Sequence, residues 1–182
     1  TYFKNHKNIG VNPSWNLGIS KSSGKYISVL NNDIIITKSF FRKIIDVFES
    51  NQKIGIVVPN TVDYSLDIED DYKKPEVEKI KHREGWAFTI RKEITDKIPP
   101  IPAELNKNFG DDYLFYYTSK LGYRIVKIVN NYINHIGSAT QCEVKKRCRP
   151  NKEYEREMWN KIKNKIDENT LENKDEKDLV HS

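Results

Sequence analysis

Four groups in this 182-residue chain have the types and settings that chemistry needs. The first is Asn31-Asn32-Asp33, which interrupts the apolar run YISVLNNDIII. An unpaired carboxylate is costly to bury there, so Asp33 is either wet in a turn or set against a positive partner. At the carboxyl edge of a sheet such a carboxylate can hold a hard divalent cation, which in turn grips a diphosphate. The plain alternative is a strand-ending turn, for which Asn and Asp are natural residues. The second group is Asp111 and Asp112, adjacent acids after Gly110 at the head of an apolar helix. Capping and the helix dipole favour acids at that place, and one of the pair could instead face a cleft as a general base. The remaining two are His135, in NHIGSAT, and Trp86, in GWAFTI. A lone histidine is usually a hydrogen-bonded structural residue, but near Asp33 it could be a second metal ligand. Trp86 could stack on a sugar ring or sit in the core.

The elements that must position these groups follow from periodicity and punctuation. Asn12-Pro13 reads as a cap and first turn, opening a helix from Ser14 to Ser23 that Gly24 ends. Tyr26–Leu30 is apolar throughout, which suggests a buried place in a largely parallel sheet. Thr37 is expected to cap a second helix, with Phe41, Ile44, Ile45 and Phe48 on one face. Ile54–Val58 is a short strand closed by Pro59, and residues 60–82 read as a polar loop, acidic from Asp67 to Asp71. Trp86–Ile90 is a strand, followed by a short helix from Arg91 to Lys97. PPIPAELNKNFG is a loop because its prolines forbid regular structure. A helix over Asp111–Leu121 and a strand over Tyr123–Val129 follow. Residues 151–170 form an amphipathic helix with Tyr154, Met158, Ile162 and Ile166 as its stripe, which docks on the domain or on a partner, a second copy included. Strand, helix, strand argues for an α/β layer structure.

Bulk composition sets the outer limits. Hydrophobic residues make up 37% and charged residues 31%, and no stretch is long and apolar enough to cross a membrane. A net charge of +5 permits anionic partners, yet only Lys145-Lys146-Arg147 with Arg149 is dense, and no nucleic-acid motif accompanies it. Cys142 and Cys148 fit no zinc or redox spacing and read as free thiols in a reducing compartment. The first residues are polar, without the apolar core of a signal peptide, which points to a cytoplasmic protein, soluble or peripheral to a membrane.

The order of the motifs adds what no single one carries. Asn8 and Gly10, Asn16 and Gly18 in WNLGI, SGKYISVLNND, GWAFTIRKE, GDDYLFYYTSKLGYRI and HIGSAT run in sequence over about residues 5–141. This series resembles the family 2 glycosyltransferases of GT-A fold. The resemblance implies a partial GT-A, Rossmann-like α/β domain over residues 1–150, a mixed sheet flanked by helices, with the helix and charged tail of 151–182 appended. It implies an inverting, metal-dependent enzyme that moves a sugar from a UDP- or dTDP-sugar to a glycan or glycoconjugate. NND falls on the family's DxD-type motif, so Asp33, with His135, would hold Mn²⁺ or Mg²⁺. Asn8, Gly10, Asn16, Asn31 and Asn32 would lie on the donor side, and Gly85 and Trp86 on the acceptor side. Asp112 would be the base, with Asp111 the fallback. Two departures matter. Asn31 stands where the motif has its first acid, and the half that carries the nucleotide-base site is expected upstream of Thr1, so turnover by this chain alone is in doubt. A non-catalytic remnant serving as an interaction module is the alternative. No Q-x-x-R-W segment appears, which argues against a processive polysaccharide synthase.

Overall fold

The computed structural model describes residues 2–62, 67, 69–80, 85–136 and 152–180, with side chains in the last segment as far as residue 169. Gly137–Thr140, both cysteines and the basic cluster at 145–149 lie outside the described residues.

Among the described residues eleven elements follow one another: α1 (Val11–Lys21), β1 (Tyr26–Leu30), β2 (Ile34–Ile36), α2 (Phe40–Ser50), β3 (Ile54–Val62), β4 (Val77–Lys79), β5 (Ala87–Arg91), α3 (Lys92–Thr95), α4 (Gly110–Lys120), β6 (Arg124–His135) and α5 (Lys152–Val180). The six strands form one mixed sheet in the order β1-β5-β3-β6-β2, with β4 also paired to β6. This is a mixed α/β architecture flanked by helices, consistent with a partial GT-A fold.

The sheet is less parallel than its apolar strands suggest. Only β3 and β6 run parallel; β1–β5, β3–β5, β2–β6 and β4–β6 are antiparallel. Strand β1 is therefore not in a largely parallel sheet, and its residues alternate between buried and exposed. Its apolar letters, broken only by the exposed Ser28, arise because Tyr26 and Leu30 pack on one face while Ile27 and Val29 fill the other. Strand β3 does not stop at Pro59. It continues to Val62 across a register shift between Val58 and Asn60, the kind of irregularity where a residue without an N–H is tolerated.

Each face of the sheet has its own core. On one face, α2 lays Phe40, Ile44, Val47 and Phe48 against Ile54, Val57, Val126, Ile128 and Ile133. Phe41 and Ile45, expected on that stripe, are instead exposed. The helix starts two residues later than expected, with Ser39 before it and Thr37 making no side-chain cap. On the other face, Ile56, Val58, Phe88 and Ile90 meet Ile94 of α3 and Tyr113, Leu114 and Phe115 of α4. Helix α1 adds Trp15 and Ile19 there, and α5 adds Trp159 and Ile166. Helix α5 thus spends its apolar face on its own domain. Met158, Ile162 and Ile166 of the expected stripe do pack on this core, but Tyr154 is exposed and the buried face widens to take in Glu155 and Trp159. None of the helices is long and apolar enough to cross a membrane, among the described residues.

Candidate functional site

The polar break after β1 is held by the strand that enters the sheet beside it. Asn31 N–H donates to the Trp86 carbonyl at 2.9 Å, which continues the β1–β5 ladder by one rung past Leu30↔Ala87. The chain then reverses into β2, which pairs Ile34 with His135 at the end of β6. The Ile136 N–H closes on the Asp33 carbonyl at 2.9 Å. These rungs bring Asp33 and His135 side by side although 102 residues separate them, with His135 Nε2 3.2 Å from Asp33 Oδ1. Their side chains are about equally accessible, at 20% and 19%.

Trp86 completes this corner. Its ring lies nearly parallel to the His135 imidazole, 4.9 Å between centroids and 12° between planes. Its indole N–H donates to Thr61 Oγ1 at 3.2 Å. The tryptophan is therefore fixed in orientation, with part of its surface still accessible. Thr61 escaped the sequence reading because a threonine inside a strand carries no signal of which side chain will cross to it.

The acidic pair approaches from the other face of the sheet. A Cβ placed on Gly85 would lie 2.3 Å from Asp111 Oδ2, so the Asp111 carboxylate lies directly over the Gly85 backbone, one residue from Trp86. Asp112 is turned about 100° further round α4 and is half-buried. Four chain segments thus meet at one end of the sheet: the turn after β1, the entry to β5, the end of β6 and the start of α4.

That start is built by residues far away in sequence. Phe109 precedes α4 with φ 63°, the one non-glycine in the left-handed region among the described residues. A bulky side chain there costs about 1–2 kcal/mol, so neighbouring contacts must impose it. Asn12, expected as a helix cap, is instead buried inside α1 and donates from Nδ2 to the carbonyls of Leu105 at 2.7 Å and Asn108 at 3.0 Å. Its Oδ1 occupies the place where a Cβ on Gly110 would go, 2.1 Å away. Gly110 is required by that approach.

The other glycine and asparagine motifs serve the same junction. Gly10 donates to Asn8 Oδ1 at 2.9 Å, adopts φ 97° and leaves no room for a Cβ against Asn106. Asn16 pairs both ends of its amide with the Ile101 backbone, at 2.8 and 2.9 Å. Of these three residues expected on the donor side, Asn16 ties α1 to the loop before α4, Gly10 makes room for Asn106 of that loop, and Asn8 braces Gly10. Asn31 is half-buried and Asn32 exposed beside Asp33.

The corner can be tested against a divalent cation. Cis ligands about 2.1 Å from an octahedral ion stand about 3 Å apart, so the Asp33 oxygen and His135 nitrogen are spaced to share one. The carboxylate oxygen suits Mn²⁺ or Mg²⁺, whereas the imidazole is a poor donor for the harder Mg²⁺, so of the two the pair fits Mn²⁺ better. Among the described residues no group of three or more His, Cys, Asp or Glu converges, so any such ion would depend on ligands from the substrate and water.

Comparison with known families matches the model of Glycosyl transferase family 2 to residues 1–104. That span takes in Asn8, Asp33 and Trp86 and ends before Gly110. No curated protein matches the chain.

Proposed function

This chain belongs to glycosyltransferase family 2, and from that premise we propose that it transfers a sugar with inversion, from a UDP- or dTDP-sugar to a hydroxyl of a glycan or glycoconjugate, with Mn²⁺ or Mg²⁺. The observation that carries the proposal is the meeting of Asp33, His135, Trp86 and Asp111 at one end of the sheet. Asp33 and His135 are the residues that would hold the ion, which when bound neutralises charge on the departing nucleoside diphosphate. Asn31 and Asn32 flank that donor side.

The rest is the work of the chain's own groups. Trp86, locked between His135 and Thr61, offers an aromatic platform for an acceptor sugar, and Gly85, having no side chain, lets the Asp111 carboxylate come close to it. The acceptor oxygen forms a bond to the anomeric carbon as the bond to the diphosphate oxygen breaks. Its proton passes to a carboxylate of the acidic pair. Motif order favours Asp112 for that role; the contact with Gly85 favours Asp111, whose carboxylate is the one set against the Trp86 strand.

Separate asparagine variants decide between them. Asp112→Asn is expected to lower transfer by about 10²–10⁴-fold while Mn²⁺-dependent UDP binding, measured by calorimetry, is unchanged. Transfer that survives Asp112→Asn but collapses in Asp111→Asn would move the base to Asp111. A wild-type chain that neither binds UDP or dTDP with metal nor releases nucleotide from any sugar donor would overturn the proposal and favour a non-catalytic interaction module.

A further inference from the structure

The loop that aims the acidic pair is gripped from two helices, and one of them lies wholly beyond the matched residues 1–104. Asn108 stands immediately before Phe109. Its backbone N–H donates to Glu155 Oε2 at 2.6 Å, and its Nδ2 donates to the same oxygen at 3.0 Å. Its carbonyl accepts from Asn12 Nδ2 at 3.0 Å. The peptide units on both sides of Asn108 are therefore fixed, by α5 from one direction and α1 from the other. The left-handed turn at Phe109 follows directly, and the Tyr113 N–H returns to the Phe109 carbonyl at 2.9 Å to begin the helix.

Glu155 is 4% exposed. A buried carboxylate is costly unless hydrogen bonds satisfy it, and amide donors to a charged acceptor are among the stronger ones. Its placement is reinforced one turn on, where the Trp159 ring meets Tyr113 and Tyr116 of α4 edge-on, and further along by Ile166 in the same core. A helix needing only to cover α4 could do so with Trp159 and Ile166. The buried acid does something further: it holds the backbone three residues before Asp111.

We propose that Glu155 is a positioning residue for the acidic pair, and that α5 sets the direction of Asp111 and Asp112 through Asn108. The role rests on the glycosyl-transfer reading of the site, and the test has arms that fail separately. Glu155→Ala is expected to lower kcat at least 10-fold with the donor KM and Mn²⁺-dependent UDP binding within about 2-fold of wild type. Glu155→Gln keeps an acceptor for the Asn108 N–H and is expected to recover most of that loss. Trp159→Phe, which loosens the helix but leaves the carboxylate, is expected to lower the melting temperature without a matching loss of kcat. Hydrogen exchange of the Asn108 and Tyr113 amides is read in parallel. It is expected to rise at least 10-fold in Glu155→Ala and to return towards wild type in Glu155→Gln, whatever the activity. A chain without transfer activity but with this exchange pattern would sink the glycosyl-transfer reading and keep the positioning role. Unchanged exchange at those amides, or a kcat that follows melting temperature across all three variants, would overturn it.

Discussion

Asp33 and His135 reach each other through ladder rungs of adjacent strands, whereas Asp111 and Asp112 stand at a helix start that no ladder supports. The first side inherits its geometry from the sheet. The second is imposed by single side chains, Asn12 and Glu155, that hold an irregular loop in a conformation its residues resist. The supports differ in chemistry as well. Beneath the strand side, Lys43 of α2 is 3% exposed at its side chain and donates to the β6 carbonyl of Asn130 at 3.0 Å and to Asp70 at 2.9 Å. Asp70 in turn accepts from the Ser39 N–H and hydroxyl at the start of α2. An ion pair therefore ties α2, β6 and the acidic loop together, while the helix side rests on amide and carboxylate grips on backbone. The strand side shares its geometry among many ladder rungs above one buried ion pair, whereas the helix start depends on a few individual contacts.

Breaking the ion pair has the largest expected effect on stability. Asp70→Asn leaves the Lys43 ammonium buried against one carbonyl and is expected to cost about 3 kcal/mol in urea unfolding. The pair also responds to acid. Burial alone would raise the Asp70 carboxyl, but hydrogen bonds from Lys43 and Ser39 outweigh it and hold it below the usual range. A group depressed in the folded state contributes stability above its unfolded value, near 4, and loses it as pH falls through the folded value. Unfolding midpoints should therefore drop below about pH 4 in the wild type, and the drop should shrink in Asp70→Asn.

Two glycines sharpen the contrast on the helix side. Gly110→Ala drives a methyl onto Asn12 Oδ1, which cannot retreat because the same amide is bonded to two carbonyls. About 2 kcal/mol of destabilisation is expected. Gly85→Ala meets the Asp111 carboxylate, which can swing away, and also its Cβ at 2.9 Å, which rotation cannot move. Its melting temperature should fall less than that of Gly110→Ala, yet transfer should fall about 10-fold if Asp111 works in place. Equal stability losses in the two variants would show that Asp111 is as tightly held as Asn12.

The sequence reveals these two sides unequally for the same reason. Strands β1, β3 and β5 announce themselves by apolar runs, and the polar break in NND marks where the ladder ends. The pairing of Asp33 with His135 follows once motif order supplies the topology. The faces of α2 were misjudged because Phe41 and Ile45 look as apolar as Phe40 and Ile44, and only tertiary contact chooses between overlapping stripes. Asn12 resembles a helix cap in type and place, so its burial beneath the α4 loop leaves no local trace. Glu155 reads as one more charge on a charged helix. Strand β4 hides within a polar loop since all three of its residues are exposed and pairing alone defines it.

Paramagnetic broadening tests the convergence most directly. Mn²⁺ added with UDP to the ¹⁵N-labelled chain should first erase the Trp86 indole signal and the amides of Ile34, His135 and Asp111, and Asp33→Asn should prevent it. Broadening that begins instead at Glu69, Asp70 and Asp71, and persists in Asp33→Asn, would contradict the account.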